Sequence, residues 1–351
     1  MRNIHSLSAS LLFIFLTLLF SVDTVCGAGV PVLTDAGKWR TVTTDNHQPP
    51  KAPVLSTPAI ASTAALVTLG SARNISQVKK RTGPIVTAAT TKRLNKKISS
   101  RSAIIIDAVS GKTLYARNPG SQRQPASTIK VLTGMIALKS LAGSEQVSIS
   151  SKAARQPRSK VYLDQAKRYK ANDLINAVLL ASANDASVAL AEKIAGNEKE
   201  FAKMMTLRAK LWGAKHTVCK TATGLTAKGQ KSTARDLATI FRHAMNNAEF
   251  SAKMKRVKIR TTEGKLLRNH NKALWQVDGT LGGKTGYTNA ARQTYVGKFK
   301  RGKDEIIVAI MGSETMWSDI KHLVTYGFNK KTTVSQKLDA LGAKIEMVAE
   351  L

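Results

Sequence analysis

Cysteine is nearly absent from this chain of 351 residues, which carries only Cys26 and Cys219. Two cysteines cannot build a disulfide framework, particularly if Cys26 is removed with an N-terminal leader. Hydrophobic residues nevertheless make up 43% of the chain, an ordinary fraction for a globular protein. We therefore expect the fold to be stabilised by a hydrophobic core alone.

Acidic residues are also scarce, since 22 Asp and Glu stand against 55 Lys and Arg and the formal net charge is +33. Residues 29–100 account for only +9 of this charge, so most of the excess lies in the rest of the chain. A charge this large favours a polyanionic partner, such as nucleic acid, anionic lipid or an acidic polymer of the cell wall.

An apolar run near the N-terminus covers only residues 11–20 and follows Arg2. Ten residues are too few to span a bilayer comfortably, but they suit the apolar core of a signal peptide. A buried helix at the start of a domain is the alternative. We expect residues 1–28 to be a signal peptide and the mature protein to be exported to the periplasm or cell envelope, with no transmembrane anchor. Export argues against nucleic acid as the partner.

The rest of the chain divides into three segments. Residues 29–97 are rich in Thr, Ala and Pro and predict a flexible basic linker. Residues 98–330 predict one folded domain, and residues 331–351 a short C-terminal extension. Within the domain, a β-hairpin pattern precedes several helical patterns, and strands and a last helix over residues 318–328 follow. This order predicts an α+β fold, an antiparallel sheet flanked by helices with an inserted helical subdomain.

The first candidate site motif contains Ser127 and Lys130 at the start of a predicted buried helix. A spacing of three places both side chains on one helix face, so the amine can reach the hydroxyl. Burial and the positive end of the helix dipole both lower the pKa of such a lysine. A neutral Lys130 could then take the proton of Ser127. The alternative is a helix-capping serine with an unrelated lysine.

Two further motifs follow in order along the chain. Ser182 and Asn184 lie in a short polar stretch between two apolar helical runs, where the hydroxyl could pass a proton and the amide could hold a substrate. Lys284, Thr285 and Gly286 follow two glycines, which permit close backbone approach at a strand edge. This lysine and threonine could bind a carboxylate. Each motif alone fits an ordinary loop equally well.

Other catalytic arrangements find little support. No G-x-S-x-G sequence occurs, and the six histidines include no H-x-x-x-H or H-E-x-x-H spacing. The four histidines beyond residue 100 fit structural or surface positions.

The sequence around these motifs resembles the low-molecular-weight penicillin-binding proteins of the serine-type D-alanyl-D-alanine carboxypeptidase family, over about residues 98–330. The matching stretches are P-A-S-x-x-K at 125–130, L-L-x-S-x-N-D-A at 179–186, S-T-A-R-D-L-A at 232–238, N-x-N at 269–271 and K-T-G-Y-T at 284–288. With about 20 residues after the last predicted helix, the chain resembles the short form of this family, without a C-terminal β domain. The resemblance implies a β-lactamase/transpeptidase-like fold.

The resemblance also implies roles for the motif residues. Ser127 would be the acylated nucleophile and Lys130 its base, with Ser182 and Asn184 completing the catalytic group. The substrate would be held by Lys284, Thr285, Gly286 and Tyr287, and the backbone N–H groups of Ser127 and Tyr287 would form the oxyanion hole. The implied enzyme is a serine DD-peptidase of peptidoglycan stem peptides that penicillin acylates, acting as a carboxypeptidase on terminal D-alanine or as an endopeptidase on D-alanyl cross-links. The resemblance implies that it needs neither a metal nor another cofactor.

Two other functions remain as alternatives. A class A-like β-lactamase would need a deacylating glutamate in an E-x-x-x-N loop between the second and third motifs, and no glutamate there has Asn four residues later. A non-catalytic wall protein would bind peptidoglycan or another polyanion through its charge, but intact motifs argue against it. The expected partners are stem peptides and β-lactams, with anionic wall polymers as a further partner.

Overall fold

The computed structural model describes residues 30–33, 39–42 and 85–349. The expected signal peptide, residues 1–28, and most of the expected linker lie outside these residues. The chain divides into two units, residues 1–67 and 68–351. Within the first unit, strands β1 (Val30–Leu33) and β2 (Trp39–Val42) pair antiparallel.

The second unit contains most of the described elements. In chain order they are α1 (Ala88–Lys97), β3 (Ser102–Asp107), β4 (Thr113–Arg117), a 3-10 helix (Ala126–Ile129), α2 (Lys130–Ser140), β5 (Gln146–Ser148), α3 (Ser151–Ala154), β6 (Arg168–Lys170), α4 (Ala171–Leu179), α5 (Asn184–Ala195), α6 (Glu198–Leu211), α7 (Ala234–Met245), α8 (Ala248–Lys255), β7 (Lys258–Arg260), β8 (Leu266–Arg268), α9 (Ala273–Gln276), β9 (Thr280–Thr288), β10 (Arg292–Arg301), β11 (Asp304–Ser313) and α10 (Met316–Ala349).

Five antiparallel strands form the central sheet in the order β4-β3-β11-β10-β9. Strands β3 and β11 read as nearly continuous apolar runs because both faces of the sheet are covered. Side chains alternate between the faces: Ile104 and Ile307 belong to the core shared with the inserted helices, whereas Ile105 and Val308 pack in the core with α1 and α10. The sheet is therefore the middle layer of three.

The inserted helices come between β4 and β9 in the chain. Their centre is α2, whose first eight residues are all buried, and α2 packs against α4, α5, α6 and α7. Helix α2 begins at the residue that directly follows the 3-10 helix. The buried position of α2 therefore also fixes the turn that carries Ser127. These elements confirm the expected α+β fold with a helical insert.

A helix lies at each of the two expected boundaries of the domain. Helix α1 lies inside the segment expected to be linker, because Thr87 caps it through a capping box and Leu94 is buried against the sheet core. Helix α10 continues from Met316 to Ala349, so the expected C-terminal extension prolongs the last helix, with Thr333 buried and its hydroxyl accepting a hydrogen bond from Val86 N. Among the described residues, no helix combines the length and apolar character that crossing a membrane requires.

Candidate active site

Ser127 lies in the 3-10 helix between β4 and α2, half-buried at the wall of a cleft. The preceding Ala126 has a φ of 50° and is fully buried. This turn is packed from one side by Gly224, where a Cβ atom would collide with the carbonyl group of Ala126. Glycine at 224 therefore allows the chain to approach the nucleophile turn, and the turn is held by tight backbone packing.

Lys130 is completely buried at the first position of α2. Its Nζ lies 2.9 Å from Ser127 Oγ, 2.7 Å from Asn184 Oδ1 and 2.6 Å from the carbonyl oxygen of Thr223. Burial holds the pKa of this amine well below its usual value, and the nearby positive charge of Lys284 lowers the pKa further. The spacing in the sequence thus produces direct contact between amine and hydroxyl.

Asn184 is oriented by three hydrogen-bonding partners. Its Nδ2 donates to the carbonyl oxygens of Pro157 (2.9 Å) and Arg158 (3.2 Å), which leaves Oδ1 facing Lys130. The same loop is held by the next residue, since Asp185 accepts hydrogen bonds from Val161 N. The second motif therefore joins the lysine to the loop that forms one side of the cleft.

Ser182 lies in the loop between α4 and α5 and has a φ of 58°, in the left-handed region. This conformation costs energy for a residue with a Cβ atom, and strain of this kind is found where a side chain must point to a specific place. The hydroxyl of Ser182 accepts a hydrogen bond of 2.8 Å from Lys284 Nζ. The second and third motifs are thereby connected.

Lys284 lies on β9, the edge strand of the sheet, and is only 1% exposed. Burial lowers the pKa of its amine to about 7. At neutral pH this group is therefore poised between the charged and neutral forms. A carboxylate bound beside it would favour the charged form.

Strand β9 passes directly over the nucleophile turn at Gly286. An ideal Cβ on this glycine would lie 2.7 Å from Ser127 N and 3.0 Å from the Ala126 Cβ. The neighbouring strand contributes Thr294, whose hydroxyl donates to the Pro125 carbonyl oxygen at 2.9 Å. Glycine at 286 permits this close contact between strand and turn.

The motifs surround one cleft of about 380 Å³. It is lined by Ser127, Arg158, Ser159, Ser182, Asn184, Leu225, His270, Thr285, Gly286, Tyr287, Gln293 and Met316. The structure thus brings all eight predicted site residues together, six in the cleft lining and Lys130 and Lys284 buried behind it. No group of His, Cys, Asp and Glu side chains in the described part of the chain is arranged to hold a metal ion.

A family model described as D-alanyl-D-alanine carboxypeptidase matches residues 87–315. The chain belongs to this family. A D-alanyl-D-alanine carboxypeptidase of Mycobacterium tuberculosis is 36% identical over 64% of this chain and 81% of the relative. The D-alanyl-D-alanine carboxypeptidase DacF of Bacillus subtilis is 32% identical over 62% of this chain and 58% of the relative. The chain therefore spans most of the first protein and little more than half of the second.

Solved structures support the same assignment. A D-alanyl-D-alanine carboxypeptidase from Mycobacterium tuberculosis H37Rv is 33% identical and superimposes with a TM-score of 0.63, over 66% of this chain and 91% of that one. Penicillin-binding protein D2 from Listeria monocytogenes, in an ampicillin-bound form, is 26% identical with a TM-score of 0.61, over 66% and 98%. These matches confirm the expected fold and the expected class: the chain is a serine-type D-alanyl-D-alanine peptidase of the penicillin-binding kind.

His270 is a cleft residue that the sequence reasoning missed, because it treated every histidine as structural or surface. It lines the cleft, and its backbone N–H donates to the Leu180 carbonyl oxygen. Burial, Lys284 and Lys130 together lower the pKa of its imidazole to about 4. The available signal was the N-x-N motif at 269–271, whose middle position is this histidine.

Proposed function

We propose that this member of the DD-carboxypeptidase family removes terminal D-alanine from peptidoglycan stem peptides through an acyl-enzyme on Ser127. The proposal rests above all on one observation: the Ser127 hydroxyl lies 2.9 Å from an amine that is completely buried and has a lowered pKa. A serine hydroxyl is a weak nucleophile until a base takes its proton. Among the described residues, the basic group that contacts Ser127 Oγ through a hydrogen bond is Lys130 Nζ.

The other partners of Lys130 direct its lone pair. Asn184 Oδ1 and the Thr223 carbonyl oxygen can only accept hydrogen bonds. A neutral amine has two N–H bonds, and these two oxygens use both. The remaining lone pair then faces Ser127, whose hydroxyl donates to it. Lys130 thus acts as the general base that the low pKa permits.

The chemical steps follow from this arrangement. Ser127 Oγ attacks the carbonyl carbon between the two D-alanines while Lys130 takes the hydroxyl proton. We assign the developing oxyanion to the backbone N–H groups of Ser127 and of Tyr287, the residue after Gly286, because Gly286 contacts the backbone at Ser127. The tetrahedral intermediate collapses, the C–N bond breaks, and the proton that Lys130 took passes through the Ser182 hydroxyl to the departing amine, so Lys130 is neutral again. The hydrogen bond from Lys284 Nζ holds the Ser182 hydroxyl. In hydrolysis, Lys130 takes a proton from the attacking water and returns it to Ser127 Oγ as the ester C–O bond breaks.

Lys284 and Thr285 favour a carboxypeptidase over an endopeptidase. The buried cation at the cleft, with a pKa of about 7, is suited to pairing with the terminal carboxylate of a D-alanyl-D-alanine peptide. A cross-link joins D-alanine to the amine of a diamino acid, so the group that must fit beside Lys284 is larger than a terminal D-alanine. The experiment described below decides whether the protein acts as an endopeptidase instead.

A β-lactamase is less well supported, because no carboxylate is among the residues that line the cleft. Fast deacylation of a penicilloyl ester by a class A-like enzyme would need a carboxylate close to the ester to activate water. We therefore expect penicillin to form a long-lived adduct.

The cell envelope is the compartment where this substrate occurs. The proposal therefore includes export by the segment at residues 1–28, and retention through electrostatic attraction between the basic chain and an anionic wall polymer. Retention of this kind should weaken at high salt, because screening shortens the range of the attraction.

Product analysis tests the enzymatic proposal. The purified protein is incubated with a monomeric pentapeptide muropeptide and, separately, with a cross-linked dimer, beside a Ser127→Ala control. Release of D-alanine from the monomer, absent in the control, supports the carboxypeptidase. Cleavage of the dimer alone would make the chain an endopeptidase. No cleavage of either by a protein that still folds would contradict a DD-peptidase.

A further inference from the structure

A second cavity, outside the catalytic cleft, lies between α6 and the segment at residues 218–220. It has a volume of about 350 Å³ and shares no lining residue with the catalytic cleft. We call it the lysine groove and define it by its lining residues: Lys199, Ala202, Lys203, Thr206, Leu207, Lys210, Val218, Cys219 and Lys220.

Four exposed lysines dominate this groove. Lys199, Lys203 and Lys210 recur at intervals of four and seven along α6, which places them on one face of the helix over about 16 Å. Lys220 stands on the opposite wall. The groove is thus lined with positive charge along its whole length.

Little negative charge compensates the lysines. Residues 199–231 contain eight Lys and Arg and one acid, Glu200. Glu200 pairs with Lys203 at 2.8 Å, whereas none of the other three groove lysines appears in an ion pair among the described residues. Like charges held this close repel one another, so an anionic ligand would relieve the repulsion.

The floor of the groove is built from firmly held residues. The Thr206 hydroxyl accepts a hydrogen bond of 3.0 Å from Cys219 N, which ties the helix to the opposite wall. Ala202 and Cys219 are 3% and 4% exposed and close the bottom. The shape of the groove therefore does not depend on the lysine side chains.

We propose that the lysine groove binds a linear polymer with repeating phosphate charges, and that it is the site of the envelope retention proposed above. The inference rests on that proposed retention and assigns it to one surface. A concave channel suits an extended chain better than a flat lipid surface. Lysine ammonium groups act as point charges and commonly bind phosphate, which suits a chain of separate phosphates. No arginine, whose fork would bind a single carboxylate or phosphate through two hydrogen bonds, lines the groove. It also lacks aromatic side chains on which nucleic-acid bases could stack.

The separation of groove and cleft has a functional consequence. A polymer held along α6 leaves the cleft at Ser127 open, so the enzyme can be retained and still act on stem peptides. When the polymer binds, the lysines replace counterions that were bound to its phosphates. The dissociation constant should therefore depend strongly on the salt concentration.

A matched pair of triple variants tests the groove. Lys199→Gln, Lys210→Gln and Lys220→Gln together remove three groove charges. Lys112→Gln, Lys255→Gln and Lys303→Gln remove three exposed charges that line neither cavity and have no ion pair among the described residues. Both variants change the net charge equally. Dissociation constants are measured with fluorescently labelled linear polyphosphate, with polyglutamate as the carboxylate probe, at about 0.1 M and about 1 M salt.

We expect the groove variant to bind polyphosphate at least about 10-fold more weakly than the original protein at the lower salt, and with a shallower salt dependence. The control variant should change by less than about 2-fold, and Lys220→Gln alone should give an intermediate loss. Equal losses in the two triple variants, no loss in either, or tighter binding of polyglutamate than of polyphosphate would overturn the proposal.

Two further measurements separate the proposals. If the original protein binds neither polyphosphate nor purified sacculi, retention fails as a whole. If it binds both and the groove variant binds as well as the control variant, only the groove assignment fails. Labelling with fluorescent penicillin reports folding and the Ser127 site independently, and it should be equal in all three proteins. The protein is also tested with phosphatidylglycerol vesicles. If it binds them as tightly as polyphosphate, the proposed polymer ligand is wrong and a membrane surface is the partner.

Discussion

Gly286 offers a sensitive test of how the edge strand positions the nucleophile. In Gly286→Ala, the new Cβ would lie 2.7 Å from Ser127 N and 2.6 Å from Thr294 Oγ1. An ordinary contact needs about 3.5 Å, so strand and turn must separate by roughly 0.8 Å. Ser127 N cannot rotate away, because it is backbone. A misplacement of about 1 Å in a catalytic group costs on the order of 100-fold in rate, so we expect acylation by penicillin to slow by about that factor.

The control is Gly297→Ala on the adjacent strand β10, whose Cβ would collide with the hydroxyl of Tyr295 instead. Both variants overpack the protein and should lose about 1–3 kcal/mol in the free energy of unfolding, measured by denaturant titration. The second-order rate constant of acylation is measured by stopped-flow mixing with fluorescent penicillin. If Gly286→Ala reacts within about 3-fold of Gly297→Ala at similar stability, the contact does not position the oxyanion hole.

Three more predictions concern charge and hydrogen bonding. Lys284→Met removes a positive charge that lowers the pKa of Lys130, so the pKa of Lys130 should rise. The acid limb of the pH profile of the acylation rate should then move to higher pH, and an unchanged acid limb would contradict the coupling between the two lysines. His270 should titrate near pH 4 when its imidazole is followed by NMR, and Lys284→Met should raise its pKa, whereas titration at the ordinary value of about 6.5 would refute the burial argument. Asp319→Ala should lower the free energy of unfolding by about 2–4 kcal/mol, because the buried carboxylate accepts hydrogen bonds from both Ser99 and Ser100; a loss below about 0.5 kcal/mol would be inconsistent with this network.

The three motifs could be predicted from the sequence because their chemistry depends on residue type and local spacing. Ser127 and Lys130 are three residues apart, and a helix start was enough to bring amine and hydroxyl into contact. The loop at Ser182 was predictable from the polar break between two apolar runs. Its positive φ was not, since a serine normally avoids the left-handed region and only the packing around the loop imposes it.

Contacts between distant segments could not be predicted in the same way. The carbonyl oxygen of Thr223 receives a hydrogen bond from Lys130 across 93 residues, and any residue type supplies a carbonyl. The bond between Lys284 and Ser182 joins residues 102 apart. The sequence analysis assigned Lys284 to the substrate carboxylate but not to this bond, because which strand lies beside which loop follows from the complete fold.

Helix α1 and the full length of helix α10 could not be predicted for a different physical reason. Helix α1 buries only Leu94, so its sequence carries almost no apolar periodicity. Helix α10 continues beyond residue 328, where the apolar residues Val334 and Leu338 are exposed. An apolar pattern that faces solvent does not indicate where a helix ends. Capping and contacts with other elements, rather than local pattern, set these limits.

The central claim is that Ser127 is the nucleophile and that a neutral Lys130 activates it. The most direct measurement is peptide mapping of the protein after reaction with fluorescent penicillin, together with the acylation rates of Lys130→Ala and Lys130→Arg. We predict a single adduct on Ser127 and loss of acylation in both variants, since alanine removes the base and arginine remains protonated. An adduct on another residue, or acylation of Lys130→Ala at the original rate, would contradict the account.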